Sequence, residues 1–345
     1  MFSVAVIEPG KVDFVDIPIP QPGPYDALVK TEISYLCNRT DRKLIEGNFP
    51  GIDQYPLLLG HESVGIVEKV GAKVRTFKQG DRTVGGVLLP TPDPKYLSFF
   101  GGFSEYILIK DHLTMVQDGI ADEQHEWSEY YQIQRVVPDG IPLEVAGLLC
   151  TWREVYSAFD DFHLQPGDDI LVFGAGPVGL SFVKFAKLLR LGYVGSVDPH
   201  EEKRQKAVIM GADHTFAPDD PEIPKLKEIL KKPLDSVIDA VGDKRIINMC
   251  LPIIKLAGSF CVYGVIDEPV IEIKKRKAPL NFNLLIHQYP TREKEARAQE
   301  PICAWVREGK LNYKDFISAE LPITKIHDAI EMIRSSSVFK VLLRY

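Results

Sequence analysis

The chain has 345 residues, of which 45% are hydrophobic and 26% charged, the composition of an ordinary globular protein long enough for two domains. Its 41 basic and 48 acidic residues give a net charge of -7, which argues against a general nucleic-acid binder and a polybasic membrane-surface protein. The five scattered cysteines form no CxxC pair and are no secreted disulfide framework. The first residues lack a basic signal-peptide region, and no uncharged run reaches the roughly 18 residues of a membrane span, so we expect a cytoplasmic protein that binds no membrane.

Residues 1–110 are predicted to be rich in β-structure. Short runs of Val, Ile, Phe and Tyr alternate with glycines and prolines, which is typical of strands separated by turns. The predicted strands are Phe2–Ile7, Asp26–Ile33, Gly65–Val70 and Phe103–Ile109. The only helical turns expected here lie near Asp41–Glu46.

A different pattern begins near Pro142, where strands and helices of similar length alternate. Such alternation predicts βαβ units and therefore a parallel sheet. The predicted helices are Leu143–Phe159, Pro177–Leu191, Glu201–Met210 and Lys244–Ile254, and the predicted strands are Ile170–Phe173, Val194–Val197, Ser236–Val241 and Ser259–Tyr263. From about Pro290 the pattern is mixed, and it ends in a predicted closing strand at Lys340–Arg344.

The segment from Asp111 to Arg135 fits neither pattern. It combines acidic residues with three large aromatic residues and has poor periodicity; its members are Asp118, Asp122, Glu123, Glu126, Glu129, Trp127, Tyr130 and Tyr131. One interpretation is a surface insertion. The other is a pocket lid or a subunit contact, because aromatic side chains in an exposed loop tend to bury against something.

A glycine-rich turn, Gly174-Ala175-Gly176-Pro177-Val178-Gly179, follows a predicted strand and opens a predicted helix. In that context GxGxxG is the fingerprint of a dinucleotide site, where the helix N-terminus receives the pyrophosphate. Asp198 ends the next predicted strand, where a carboxylate accepts hydrogen bonds from the adenosine ribose. A carboxylate there repels a 2′-phosphate, so the sequence favours NAD over NADP.

Candidate metal-binding residues lie apart from one another in the sequence. His61 and Glu62 are adjacent and offer imidazole and carboxylate donors that suit zinc. Cys37 lies upstream and Cys150 downstream, and no spacing among the four is diagnostic by itself. A single buried cysteine is more often a small core residue than a ligand, so the residues alone leave both interpretations open.

Several motifs occur in one fixed order along nearly the whole chain. They are the cysteine loop at Cys37, Gly60-His61-Glu62 with Gly65 and Gly71, Gly80-Asp81-Arg82, Val137-Pro138-Asp139-Gly140, the glycine-rich turn, and Gly211-Ala212-Asp213. In this order the chain resembles the zinc-dependent medium-chain dehydrogenases/reductases, which include alcohol, polyol and threonine dehydrogenases. The resemblance implies an α/β fold: a Rossmann-type parallel-sheet domain at residues 149–285, inserted into a GroES-like β-rich catalytic domain at 1–148 and 286–345.

The resemblance also implies roles for individual residues. Cys37, His61 and Cys150 fall at the positions of the zinc ligands, and Glu62 is the adjacent carboxylate that can join them. Asp41 would orient His61, Thr40 would take the substrate proton, and Val178 would lie behind the nicotinamide. Pro177, Arg204 and Val265 complete the predicted cofactor contacts, together with Gly174, Gly176, Gly179 and Asp198.

Two departures from the family pattern stand out. Two residues instead of one separate Cys37 from Thr40, so the placement of Thr40 requires a local adjustment of the loop. The segment Leu88–Phe103 has no cysteine, whereas many relatives carry four there, so we expect one catalytic zinc and no structural zinc. Cys250, Cys261 and Cys303 are predicted to be inert core residues.

The resemblance therefore implies a zinc- and NAD-dependent dehydrogenase of a secondary alcohol: a polyol, a sugar-derived alcohol or a hydroxy acid. Two alternatives are a zinc-free quinone or enone reductase of the same superfamily and a non-catalytic nucleotide-binding protein. Arg153 and Glu154 follow Cys150 and either face a polar substrate or form a solvated helix turn. The expected partners are a small alcohol or ketone and further copies of the chain, as a homodimer or homotetramer, without nucleic acid.

Overall fold

The computed structural model describes residues 1–266, 268, 270–288, 290–335 and 338–345, which divide into two compact units. The first unit contains Met1–Thr151 and Arg292–Tyr345, and the second contains Trp152–Thr291. The first division falls inside one continuous helix, Leu143–Asp161, and the second falls immediately before the helix Arg292–Arg297. They differ from the predicted divisions after residues 148 and 285, because no change in residue pattern marks a boundary within a helix.

The strands, in chain order, are β1 (Phe2–Glu8), β2 (Lys11–Asp16), β3 (Asp26–Leu36), β4 (Leu57–Leu58), β5 (Ser63–Val70), β6 (Arg82–Val84), β7 (Leu97–Ser98), β8 (Tyr106–Lys110), β9 (Arg135–Val136), β10 (Ile170–Phe173), β11 (Val194–Val197), β12 (His214–Phe216), β13 (Leu234–Asp239), β14 (Ile254–Val262), β15 (Asn283–Ile286), β16 (Ile317–Pro322) and β17 (Lys340–Arg344). The α-helices are α1 (Thr40–Glu46), α2 (His112–Gln117), α3 (Leu143–Asp161), α4 (Pro177–Leu188), α5 (Glu201–Met210), α6 (Leu226–Ile229), α7 (Lys244–Cys250), α8 (Arg292–Arg297), α9 (Gln299–Arg307) and α10 (Ile326–Arg334). None of the helices in the described ranges is long and apolar enough to cross a bilayer.

The first unit is built on two sheets. One has the order β2-β1-β4-β7, and the other has the order β16-β17-β3-β5-β6-β9, with β8 also paired to β3. Most pairings are antiparallel, as expected where one face of a sheet is packed and the other solvated. Apolar residues of β1, α1, α10 and β17 form a shared core, including Val4, Leu44, Ile326, Ile330 and Val341. The closing strand predicted at Lys340–Arg344 is β17, which pairs antiparallel with β3.

The second unit contains the predicted parallel sheet, with the order β12-β11-β10-β13-β14-β15. Its strand order reverses beside β10, and the carboxyl ends of β10 and β13 flank this switch point, where α/β sheets bind ligands. All four residues of β10 are buried, as parallel strands covered on both faces require. The predicted Rossmann-type fold of this region is confirmed.

Several predicted element ends in the second unit are wrong by a few residues. The strand predicted at Ser236–Val241 ends at Asp239, because the Asp239 carboxylate accepts hydrogen bonds from the backbone of Val241 and Gly242 and turns the chain. The helix predicted to reach Ile254 ends at Cys250 and is followed by a 3-10 turn at Leu251–Ile253.

The unusual segment between Asp111 and Arg135 is ordered and anchored within the first unit. Asp111 caps helix α2 by accepting a hydrogen bond from the Thr114 backbone at 3.0 Å. At the other end Gln134 accepts from the Lys110 backbone at 2.6 Å and donates to the Gly85 carbonyl at 3.0 Å. The 3-10 turn Glu129–Ile133 packs against helix α8 of the same unit. The segment is therefore part of the packed body of this unit.

Candidate metal centre and nucleotide loop

The ends of three strands bring the candidate metal-binding residues together. In the register of the larger sheet, Ser34 of β3 lies opposite Ser63 of β5, and Leu36 lies opposite Val341 of β17. Cys37 therefore directly follows β3, Glu62 directly precedes β5, and Lys340 begins β17. All three residues lie where these neighbouring strands end on the same side of the sheet. A hydrogen bond of 2.9 Å from the Tyr35 backbone to the Glu62 carbonyl extends the pairing to the site.

Cys37, His61 and Glu62 form a compact group of metal donors. One ligand atom from each lies within 4.8 Å of both others, and His61 Nε2 is 3.7 Å from Glu62 Oε1. A thiolate, an imidazole and a carboxylate are donors that zinc accepts. In the described part of the chain these three residues are the only group of this kind.

Asp41 supports two members of this donor group. Its Oδ2 accepts a hydrogen bond from the Cys37 backbone at 2.8 Å, and its Oδ1 lies 3.4 Å from His61 Nδ1. His61 Nδ1 and Asp41 Oδ1 are buried atoms that have no hydrogen-bond partner among the described residues. A small movement of the His61 ring toward Asp41 would let Nδ1 donate a hydrogen bond to the carboxylate and leave Nε2 for a metal. A ligating histidine usually makes such a hydrogen bond with its second ring nitrogen. The residues thus fit a zinc ion.

The electrostatics of the site favour the charged forms of two donors, His61 and Cys37. Burial alone would lower the pKa of His61, but the charge of Asp41 and the close polar contacts with Asp41 and Cys37 raise it well above its usual value. Burial would raise the pKa of Cys37, and the hydrogen bond and charge of His61 outweigh it, so that pKa is lowered. A lowered pKa favours the thiolate, the form that binds metals.

Lys340 is a residue of this site that the sequence reasoning missed. Its ammonium group contacts both carboxylate oxygens of Glu62, with Nζ 2.5 Å from Oε1, and the two residues are only 3% and 2% exposed. Burial lowers the pKa of Lys340, but the charges of Glu62 and Cys37 reverse this effect and raise it above its usual value. A lysine at the start of an apolar, buried strand was the available signal, since buried lysines almost always have a partner.

Cys150 lies beside the donor group but is not part of its compact set. Its Sγ is 3.7 Å from the carbonyl oxygen of His61. Arg153, one turn further along α3, is completely buried, so the interpretation of this residue as part of a solvated helix turn is wrong.

Thr40 is the first residue of α1 and is partly exposed. Arg39, not Thr40, occupies the N-cap position, and no side chain caps this helix end. In the part of the chain that the structure describes, the Thr40 hydroxyl makes no hydrogen bond to protein. The hydroxyl is therefore available to an external partner.

The glycine-rich turn of the second unit has the shape that a dinucleotide needs. Gly174 adopts a φ of +92°, and a Cβ on Gly179 would stand 1.7 Å from the Gly174 carbonyl oxygen, so α4 packs directly against the strand end. A Cβ on Gly176 would instead meet no described atom within 4 Å. That open space lets a pyrophosphate approach the backbone at the N-terminus of a 12-residue helix. Pro177 and Val178 form the first turn of this helix.

Asp198 lies beside this turn, as its position after β11 predicts. Its Oδ2 accepts a hydrogen bond from the Ala175 backbone at 2.8 Å, and its Oδ1 accepts one from His200 at 2.9 Å. Arg204 donates to the Asp198 carbonyl at 2.7 Å and pairs with Glu201. The carboxylate is thus held in place by the loop itself, and each oxygen keeps a second lone pair for a ribose hydroxyl.

Val265 follows β14 and approaches the loop after β13. A Cβ on Gly242 would stand 2.2 Å from the Val265 carbonyl oxygen, so these two loops touch at the carboxyl edge of the sheet. Asp239, which organises the neighbouring loop, was not identified from the sequence. Burial raises the pKa of Asp239 more than its backbone hydrogen bonds lower it.

Comparison with known proteins identifies the class. Residues 23–118 match the model of the alcohol dehydrogenase GroES-like domain, and residues 177–291 match that of the zinc-binding dehydrogenase domain. The chain belongs to the zinc-dependent medium-chain dehydrogenase/reductase family, as its motifs predict, and its β-rich first unit carries the GroES-like domain.

Individual relatives cover most of the chain. A sorbitol dehydrogenase of Bombyx mori is 24% identical over 348 residues, covering 95% of this chain and 93% of that protein. An NADP-dependent isopropanol dehydrogenase of Thermoanaerobacter brockii is 28% identical over 267 residues, covering 75% and 74%. Among solved structures, a 2R,3R-butanediol dehydrogenase from Bacillus subtilis has a TM-score of 0.81 at 20% identity, with 100% and 99% of the chains covered.

Proposed function

We propose that this protein is a zinc- and NAD-dependent dehydrogenase of secondary alcohols, with polyols, sugar-derived alcohols and hydroxy acids as the classes that the sequence favours. The observation that carries the proposal is the compact donor group of Cys37, His61 and Glu62. A zinc-free reductase would have no need of three buried or half-buried donors that converge within 4.8 Å.

Residues of the first unit would bind the metal and transfer the substrate proton. When bound, a zinc ion supplies Lewis acidity toward the hydroxyl of an alcohol, and NAD supplies the hydride acceptor. Cys37, His61 and Glu62 would hold the metal with Cys150, Asp41 would orient His61, and Lys340 would neutralise Glu62. Thr40 would accept the hydroxyl proton and pass it to solvent, since its own hydroxyl is both donor and acceptor.

The second unit would hold the cofactor. Gly174, Gly176 and Gly179 would receive the pyrophosphate with the first turn of α4, and Asp198 would accept hydrogen bonds from the adenosine ribose. Arg204 would hold the Asp198 loop, and Val178 and Val265 would lie toward the nicotinamide. We propose the second unit, Trp152–Thr291, as the NAD-binding domain, within a few residues of the predicted 149–285. The rest would be the catalytic domain of a cytoplasmic homodimer or homotetramer.

A substrate panel tests the proposal directly. The protein is incubated with NAD and, in turn, polyols, hydroxy acids and amino alcohols, and NADH formation is followed by absorbance. We expect turnover of at least one secondary alcohol that stops when the zinc is chelated. Turnover that survives complete zinc removal would favour the zinc-free reductase. Tight NAD binding without any turnover would favour a non-catalytic role.

The metal prediction concerns stoichiometry. Elemental analysis of desalted protein should give about one zinc per chain, because the sequence has no cysteine cluster in Leu88–Phe103. His61→Ala and Cys37→Ser should lose most of the metal and the activity while NAD affinity is retained. The matched control is His327→Ala, which removes an exposed histidine and should keep the metal. Two tightly held zinc ions per chain would contradict this prediction.

The cofactor prediction concerns Asp198. Asp198→Ala should weaken NAD binding by roughly ten- to a hundredfold and narrow the gap to NADP, because a hydrogen bond to a charged group contributes roughly 1.5–3 kcal/mol. Asp219→Ala removes an exposed carboxylate and serves as the control. Titration of cofactor fluorescence measures both affinities. A wild-type protein that already prefers NADP would show that this role of Asp198 is wrong.

A further inference from the structure

A row of four aromatic rings runs past the donor group in the first unit. We name Phe49, Phe99, Phe100 and Tyr130 the aromatic row. Ring centroids are 5.0 Å apart between Phe49 and Phe99, 5.1 Å between Phe99 and Phe100, and 5.0 Å between Phe100 and Tyr130. All four side chains are partly exposed, and Phe49 and Phe99 also pack against the core of the first unit, so each ring keeps part of its surface outside the core.

The row is tied to the donor group through His61. The His61 ring lies 6.2 Å from the Phe100 ring, centroid to centroid, and the two planes are tilted by 52°. A small molecule with its oxygen at the donor group would therefore have its neighbouring atoms within reach of Phe100, on which the ring of Tyr130 stacks.

The backbone of Phe100 is held in a costly conformation. Its φ is +70°, a region that bulky residues rarely adopt and that is energetically unfavourable for them. The cost would vanish with a glycine, but a glycine has no ring to place between His61 and Tyr130. Strain of this kind persists where the surrounding structure imposes it, and it concentrates at functional sites.

Tyr130 comes from the segment between Asp111 and Arg135, which has its own support. The Tyr130 ring stacks on Phe100 with an interplanar angle of 26°. The guanidinium of Arg292, a residue of α8, lies 5.5 Å from the centroid of the Tyr130 ring. Arg292 is paired with the fully buried Glu295 at 2.6 Å. The Glu295 carboxylate balances the charge of Arg292. Arg292 therefore supports the Tyr130 ring and is not expected to bind a substrate carboxylate.

We propose that the aromatic row is the specificity surface for the non-reacting substituent of the substrate, and that it selects alcohols with a neutral, apolar and preferably planar substituent over polyols and hydroxy acids. This proposal rests on the proposed dehydrogenase function, but it replaces the polyols and hydroxy acids that the sequence favours with alcohols that carry an apolar substituent. It also assigns a role to the segment between Asp111 and Arg135, whose Tyr130 forms the end of this surface. An aromatic substituent gains from stacking as well as from burial, whereas the hydroxyls of a polyol would lose water against the three phenylalanine rings, which offer no hydrogen bond.

Binding of two unreactive amides tests the proposal without relying on turnover. Benzamide and acetamide share the carbonyl group but differ in the ring, and neither accepts hydride readily. Their dissociation constants are measured by calorimetry on the zinc-loaded protein with NADH. Tyr130→Ala should weaken benzamide by roughly three- to thirtyfold and leave acetamide within about twofold. Tyr130→Phe, which keeps the ring, should bind both amides as the wild type does.

Two further variants guard against misfolding and indirect effects. Phe100→Leu removes the central ring but keeps an apolar side chain, and it should reduce the benzamide preference in the same way. Phe14→Ala removes a partly exposed ring that contacts Phe2 outside the row, and the preference should persist. In turnover, the wild type should show a higher kcat/KM for 1-phenylethanol than for 2,3-butanediol, and Tyr130→Ala should narrow that ratio.

The outcomes separate this proposal from the function on which it rests. An unchanged benzamide-to-acetamide ratio in both Tyr130→Ala and Phe100→Leu overturns the proposal, even if the enzyme oxidises alcohols. If those variants instead change the oligomeric mass in sedimentation and leave the ratio unchanged, the row is a subunit contact and the proposal is again wrong. If no alcohol is oxidised but the ratio still depends on the row, the dehydrogenase function fails while the row stands as the binding surface.

Discussion

Replacing Lys340 with methionine is expected to lower the free energy of unfolding of the metal-free protein by about 3–5 kcal/mol. The change removes the ammonium group that contacts both oxygens of Glu62 and leaves a carboxylate that is only 2% exposed. A buried charge without its partner retains the full cost of its lost hydration. Denaturant unfolding, followed by tryptophan fluorescence and circular dichroism, measures the loss.

Matched variants isolate the role of the ion pair. Lys325→Met breaks an exposed pair with Asp328, whose side chains are both 60% exposed, and should cost at most about 1 kcal/mol. The double variant Lys340→Met with Glu62→Gln removes both charges and should recover most of the lost stability, because no unpaired charge remains. If Lys340→Met destabilises the protein no more than Lys325→Met does, the buried pair is not the stabilising contact described above.

Replacing Thr40 with alanine is expected to lower turnover by roughly 10²–10⁴, the usual contribution of positioned proton transfer. The Thr40 hydroxyl makes no hydrogen bond to protein within the described ranges, so it is available for a substrate hydroxyl. Zinc content and NAD affinity should hardly change. Thr40→Ser keeps the hydroxyl and should retain much of the activity, as steady-state kinetics on the two variants will show.

The competing role for Thr40 is that of a helix cap. A lost cap would cost on the order of 1 kcal/mol of stability and leave turnover unchanged. Because Arg39 holds the N-cap position, we expect the Tm of Thr40→Ala to match that of Thr324→Ala, a variant at an exposed threonine. A destabilised but fully active Thr40→Ala would refute the proton relay.

Local rules within the sequence account for the second unit and for the nucleotide loop. The predicted elements Ile170–Phe173, Val194–Val197 and Glu201–Met210 have the ends that the structure shows. Each element is bounded by glycine, proline or a charged turn. Within each element the hydrophobic pattern is set by residues only a few positions apart. The contacts of Gly174 with Gly179 and of Ala175 with Asp198 likewise arise within one βαβ unit, which a local motif can encode.

The donor residues of the metal centre were predictable, but only as separate candidates. Adjacent His61 and Glu62 suggest metal ligands by their chemistry. Cys37 is recognisable as a third ligand only because the fold places it close to them. Family resemblance supplied that connection, and spacing alone did not. The structure then distinguishes the compact set of Cys37, His61 and Glu62 from Cys150, which lies beside it.

Only the tertiary structure decided the contacts of Lys340 and Tyr130. The antiparallel register of β17 on β3 brings Lys340 to Glu62, a residue 278 positions away in the chain. Packing of the Asp111–Arg135 segment against α8 brings Tyr130 onto Phe100 and thus close to His61. A residue pattern reports the period of a single element and the chemistry of its side chains, but strand register and the packing of distant segments depend on the whole core, which no local pattern encodes.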